Sequence, residues 1–160
     1  MGASYFIIPL KTFGASPEDV AAMTRLGVTP MDWQGAGRFP SLTELQSRLA
    51  VLVGYKVGSP GFWNRRSWQI SVESVTEPDC EYAVLDCLEY GGNPDQSYAI
   101  GFYRGSPRTM ILVTRCLTEY LGAAVLLCEY GEAVLVRSDT SPDAEWVQLP
   151  EDGDGGDSAA

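Results

Sequence analysis

A chain of 160 residues with no histidine and a formal charge of −10 excludes every chemistry built on an imidazole. Ser-His and Cys-His nucleophile pairs, HExxH zinc sites and histidine general bases are all ruled out, while chemistry on carboxylates, Lys or Arg is not. Hydrophobic residues at 45% and charged residues at 20% are ordinary for a soluble domain, and the length suits one domain with a substantial core. No run approaches the roughly 18 apolar residues of a membrane span. The start, MGASYFIIPL, has no basic leader before a long apolar segment, and Phe6 stands where a myristoylation signal prefers Ser or Thr. A soluble, cytoplasmic protein is expected, with residues 1–150 as one domain and 151–160 as a disordered acidic tail.

Taken in order, Tyr5 to Leu10 reads as a first strand, with Pro9 marking an edge or an early end. Ser16-Pro17-Glu18-Asp19 opens a helix that carries Val20, Met23 and Leu26 and stops at Gly27. Residues 27–40 are rich in Gly and Pro and read as a flexible connection. Gly35-Ala36-Gly37 has no strand before it and no P-loop Lys after it, so it is no phosphate cradle. Ser41 with Glu44 forms a capping box for a helix whose stripe is Leu42, Leu45, Leu49, Leu52 and Val53. Residues 55–66 read as a second loop, ending in Phe62-Trp63-Asn64-Arg65-Arg66. Trp63 there is a candidate contact residue, because Trp and Arg are enriched at interface hot spots; the alternative is that these aromatics form a lid over the sheet edge.

From Trp68 the period becomes two, with Trp68, Ile70 and Val72 alternating against Gln69, Ser71 and Glu73. Glu81 to Tyr90 is a second strand, residues 91–95 a turn, and Tyr98, Ile100 and Phe102 mark a third strand. Gly101 within it allows a bulge or a close approach. Ser106-Pro107 then starts a buried helix over 107–121, with Gly122 placed for a left-handed cap. Ala123 to Cys128 and Ala133 to Arg137 flank a turn and read as a hairpin. The expected fold is α+β, a mainly antiparallel sheet of about five or six strands with two or three helices packed on one face. The four cysteines lack CxxC spacing and read as buried free thiols, with neither a zinc site nor a disulfide framework. No cofactor motif is evident.

Charge is unevenly distributed. Residues 67–103 hold seven acids and no base, and residues 139–160 another seven and no base, whereas residues 1–66 are net +3. Crowded carboxylates on a sheet repel one another unless Arg65, Arg66, Arg104 or Arg108 pairs with them. Unpaired, they form an anionic surface for a basic partner, which argues against nucleic acid as ligand. The candidate partner-binding residues are Glu73, Glu77, Asp79, Glu81, Asp86 and Glu89, with Trp63. Asp86, between apolar neighbours, is also where desolvation could raise a carboxyl pKa for acid catalysis.

The stretch from Tyr98 to Val136, with IGFYRGSP, a helix ending TEYLG and then AAVLLCEYGEAVLV, resembles the C-terminal half of bacterial polymorphic-toxin immunity proteins. The resemblance implies a small α+β protein of the cytoplasm that neutralises a cognate toxin domain by binding it, with no catalytic residue and no cofactor. The alternative is a carboxylate-based enzyme or small-ligand-binding protein using the same sheet.

Overall fold

Ser106 and Pro107 start the longest helix at the expected position, and it runs Pro107–Leu121 as α3. Met110, Val113, Leu117 and Leu121 line its buried face, joined by Ile111 and Thr114. The computed structural model describes residues 4–35, 37–64, 67–88 and 99–150. Two further helices are α1, Pro17–Leu26, and α2, Leu42–Leu49. The strands are β1 (Tyr5–Pro9), β2 (Tyr55–Val57), β3 (Gly61–Asn64), β4 (Ser67–Ser74), β5 (Tyr82–Leu88), β6 (Ala99–Gly105), β7 (Ala124–Cys128), β8 (Glu132–Val136) and β9 (Val147–Gln148). Glu89, Arg65, Arg66, the 91–95 turn and the tail from 151 lie outside the described residues.

All nine strands join one sheet in the order β2-β4-β5-β6-β1-β7-β8-β9, with β3 also paired to β4, and every pairing is antiparallel. The α+β class and the antiparallel sheet are as expected. The number of strands is not: nine form among the described residues, where five or six are expected. The additional strands are short. Residues 55–66, read as a loop, supply β2 against one half of β4 and β3 against the other. Together they form one edge interrupted at Gly58-Ser59-Pro60, where the Gly58 N–H still donates to the Ser71 carbonyl at 2.8 Å. Proline is tolerated at a sheet edge because its missing donor faces away from the ladder.

The helices do not all share one face. Leu42, Leu45 and Leu49 of α2 and the buried side of α3 pack with Trp68, Ile70, Val72, Leu85 and Phe102. On the other side Leu10, Val125, Ala133 and Leu135 form a second cluster, backed by Leu26 at the end of α1. Strand β7 is apolar on both sides, so one layer of helices cannot cover it. Full burial of a Leu, Ile, Phe or Met contributes about 1.5–3 kcal/mol, so the thicker first cluster dominates stability. Helix α1 is thinly anchored, with only Ala22 buried and Val20 49% exposed. The α2 stripe ends at Leu49; Leu52 packs at the core margin, but Val53, expected in the stripe, is 95% exposed. Of the cysteines, all expected to be buried, Cys87 and Cys128 are buried and Cys116 partly so, while Cys80 is exposed.

The supposedly flexible 27–40 connection is pinned. Its Asp32, only 7% exposed, accepts from Arg137 Nε at 2.6 Å and Nη2 at 2.9 Å, and from the Thr29 N–H at 2.7 Å. The hydrogen bond from Arg137, outweighing burial, holds the Asp32 carboxyl below the usual carboxylate range. Gly122 has positive φ (+73°), but its ψ of −160° places it outside the left-handed helical region expected for it. That combination is almost exclusive to glycine. A Cβ there would lie 3.0 Å from the Gln34 carbonyl oxygen, so the glycine also admits the pinned loop.

Two outcomes follow for stability. Gly122→Val should lower the free energy of unfolding by more than about 1 kcal/mol in urea titrations, and a neutral result would remove the strain argument. Asp32→Asn should destabilise by about 2 kcal/mol at pH 7. Because the folded pKa is depressed, that contribution is full above the unfolded value of about 3.9 and is lost as pH falls through the folded value. The gap between wild type and Asp32→Asn in urea midpoint should therefore close in strong acid.

Candidate functional site

The alternation along β4 sends Trp68, Ile70 and Val72 toward the helices and leaves Gln69, Ser71 and Glu73 on the opposite face. The register extends that face across the sheet. Gln69, Ser71 and Glu73 stand opposite Asp86, Val84 and Tyr82; Asp86 stands opposite Gly101, Gly101 opposite Phe6, and Phe6 opposite Leu127. Among the described residues no helix packs on the β4–β5–β6 part of this face. Phe6 is 48% and Tyr103 53% exposed on it.

The predicted acids separate into groups on this framework. Glu73, Glu77 and Asp79 are exposed at one end of β4 and β5. The turn that carries the last two is built by Ser74, whose Oγ accepts from the N–H groups of Thr76 (3.3 Å) and Glu77 (3.1 Å). The Glu77 carbonyl closes it by accepting from Cys80 and Glu81. Glu73 and Asp79 share a cleft of about 340 Å³ with Ser71, Tyr82 and Arg104. The Arg104 guanidinium sits 6.0 Å from the Tyr82 ring and 5.8 Å from the Tyr103 ring, a cation–π pairing rather than an ion pair. Lys56 on β2 lies opposite Glu73 in register.

Glu81 faces the other way. Its carboxylate accepts from Ser106 Oγ at 3.3 Å and Thr109 Oγ1 at 3.1 Å, with Arg108 Nε 3.9 Å away. Ser106 occupies the N-cap position of α3 without a side-chain capping bond; its Oγ accepts instead from the Tyr82 N–H at 3.3 Å, and its hydroxyl lies within donating distance of Glu81 and Thr109. Glu81 is thus a fastening for α3. Arg108 also pairs with Asp143, which ties the chain after β8 to the same corner.

Asp86 stands apart from the other acids, four positions along β5 from Tyr82 and so about 13 Å away. Burial pushes its pKa up, opposed by a hydrogen bond from Gln69. Its Oδ1 is buried and has no hydrogen-bond partner among the described residues. Trp63 lies on β3. Sequence reasoning missed Phe6 and Tyr103 as surface residues, although the alternation around Ile7 and Phe102 would have placed Phe6 on the outer face.

Among the described residues no three His, Cys, Asp or Glu side chains are grouped to hold a metal ion. No helix of the described residues is long and apolar enough to cross a membrane. A second cleft, of about 670 Å³ between α2 and α3, is lined by Arg48, Arg115 and Arg137, which are already engaged by Glu119, backbone carbonyls and Asp32 respectively. No protein-family model matches the chain, and no curated protein or solved structure is significantly similar to it.

The partly buried Asp86 carboxylate gives a test with a defined sign. Its folded pKa is raised, so its charge penalises the fold above that pKa, and the penalty fades as pH falls to the unfolded value of about 3.9. Asp86→Asn should therefore raise the melting temperature at pH 7 and lose that advantage near pH 4. A lower melting temperature at pH 7 would show that the carboxylate is compensated.

Proposed function

We propose that this chain is an immunity protein, a stoichiometric inhibitor that binds a basic, cognate interbacterial toxin domain through the acidic end of its sheet. One observation carries the reading: Glu73, Glu77 and Asp79 are exposed together, and none of them is in an ion pair among the described residues. Lys56 opposite Glu73 and Arg104 in the shared cleft offset part of this charge, and a partner of opposite sign relieves the repulsion that remains. The adjoining open face supplies apolar area in Tyr103, which charge alone would not. The helix and hairpin at 107–136 agree with the resemblance to immunity proteins drawn from the sequence. The protein acts in the cytoplasm in this reading, with no cofactor.

A second reading, a carboxylate-based enzyme or small-ligand protein, rests on the raised pKa of Asp86. Asp86 lines neither the cleft at Arg104 nor the one between α2 and α3, and that favours the binding reading.

The test needs the cognate toxin domain, to be sought in an adjacent gene or by pulling down partners. Reversal of Glu73, Glu77 and Asp79 to Lys should weaken the complex at least about tenfold and flatten the salt dependence of its association rate. The melting temperature should barely change, because these side chains are exposed. Unchanged affinity in the folded triple variant would sink the assignment of this surface.

A further inference from the structure

The face that β1 and β7 turn away from α3 is not flat. Phe6, Ile8 and Leu127 on the sheet, with Phe13 and Leu149 beside them, line a groove of about 790 Å³ against α1. Strand β1 lies in the interior of the strand order, yet its Phe6 remains 48% exposed. A half-wetted aromatic in the middle of a sheet forgoes a good part of the about 1.5–3 kcal/mol that full burial gives. Exposed apolar surface gathered in a concave site of this size marks a place for a ligand side chain.

The border of the groove carries one sign of charge. Glu18 and Asp19 from the first turn of α1 and Glu129 from the β7–β8 turn line it, and no Lys or Arg does. Two of these carboxylates are fixed by backbone donors, Asp19 by the Gly14 N–H and Glu129 by the Ser4 N–H, each at 2.7 Å. None of the three is in an ion pair among the described residues. Arg25, on the last turn of α1, is turned to the Gln148 carbonyl instead. Pro150 lines the groove, and the sequence beyond it adds four acids and no base.

We infer that this groove seats a large apolar anchor residue carried on a basic segment of the partner protein. An apolar floor rewards the anchor, and desolvating three carboxylates is tolerable only if Lys or Arg replaces their water. The chain's own acidic C-terminal segment has the wrong sign for the groove. A second copy, itself at net charge −10, has it too. The inference builds on the proposed inhibitor reading and gives its basic partner a hydrophobic point of attachment about one sheet half away from Glu73 and Asp79.

The experiment is a titration of the isotope-labelled full chain, followed by amide resonances, with a short peptide holding one tryptophan between paired lysines. A matched peptide has glutamates in place of the lysines. The lysine peptide should move amides of β1, β7 and the first turn of α1, with a dissociation constant below about 1 mM that rises with salt. The glutamate peptide should leave them in place. Phe6→Ala and Glu18→Lys should each weaken binding by about tenfold, and since both side chains are exposed, two independent folded variants are available. Equal binding of the two peptides, binding only at the β4–β5 end, or no binding would overturn the inference. Movement of the same amides on deleting 151–160 would assign the groove to the chain's own tail, and movement on raising protein concentration to a second copy; either overturns it. With the toxin in hand the two readings separate. Neutralisation undiminished by Phe6→Ala rejects the groove and keeps the inhibitor, whereas peptide binding without any toxin neutralised keeps the groove and rejects the inhibitor.

Discussion

The fold depends on the insertion of β1 between β6 and β7. Strands β2 to β6 build up by short connections, and so do β7 to β9, so each half of the sheet is a local structure. Among the described strands β1 alone joins them, with five residue pairs to β7 and two to β6. The narrower side of the seam works because residue 101 is glycine. A Cβ there would stand 2.6 Å from the Tyr5 carbonyl oxygen, so no other residue lets the strands close. Helix α3 spans the same seam from the other side, since it connects β6 to β7 across β1. Tyr5 meets Phe102 and Cys128, far along the chain, so the entropy of closing those long loops falls on the seam.

Two kinds of carboxylate coexist on this framework. Asp32, Glu44 and Glu81 are acceptors inside the architecture, each holding a helix start, a turn or an arginine, and Glu44 has its pKa drawn down to about 2 by Arg38. Glu73, Glu77, Asp79 and Glu18 do no such work among the described residues. Hydrogen-bonded carboxylates resist replacement because their donors would be left unmet, while the exposed ones can change with little effect on the fold. That division separates structural acids from those free to meet a partner.

Much of this was legible in the sequence, for reasons that can be named. The limits of α3 follow from Ser106-Pro107 and Gly122, and β4 from the strict alternation of Trp68, Ile70 and Val72. The β7–β8 hairpin follows from two apolar runs around a turn. What escaped was decided by neighbours. Strands β2, β3 and β9 are only three, four and two residues long, and they exist because β4 and β8 offer them unpaired ladders. The side of the sheet taken by α1 depends on β7 being apolar on both faces. The acids were found by type and position, but nothing local told Glu81, bonded to a helix start 25 residues away, from Glu73, which is exposed. Residues 5–10 read as a strand without assigning Phe6 to either face, because Phe6, Ile7 and Ile8 are uniformly apolar.

The interrupted outer edge has a consequence for how the protein can associate. A long, straight edge strand invites another chain to extend the sheet by main-chain hydrogen bonds, the first step of many aggregates. Here one border is broken at Gly58-Ser59-Pro60 and the other ends in a strand of two residues. Neither offers a continuous row of donors and acceptors to a visiting backbone. Recognition of this protein is therefore left to side chains, whose identity can be tuned residue by residue, and a crowd of unfolded chains finds no template on it.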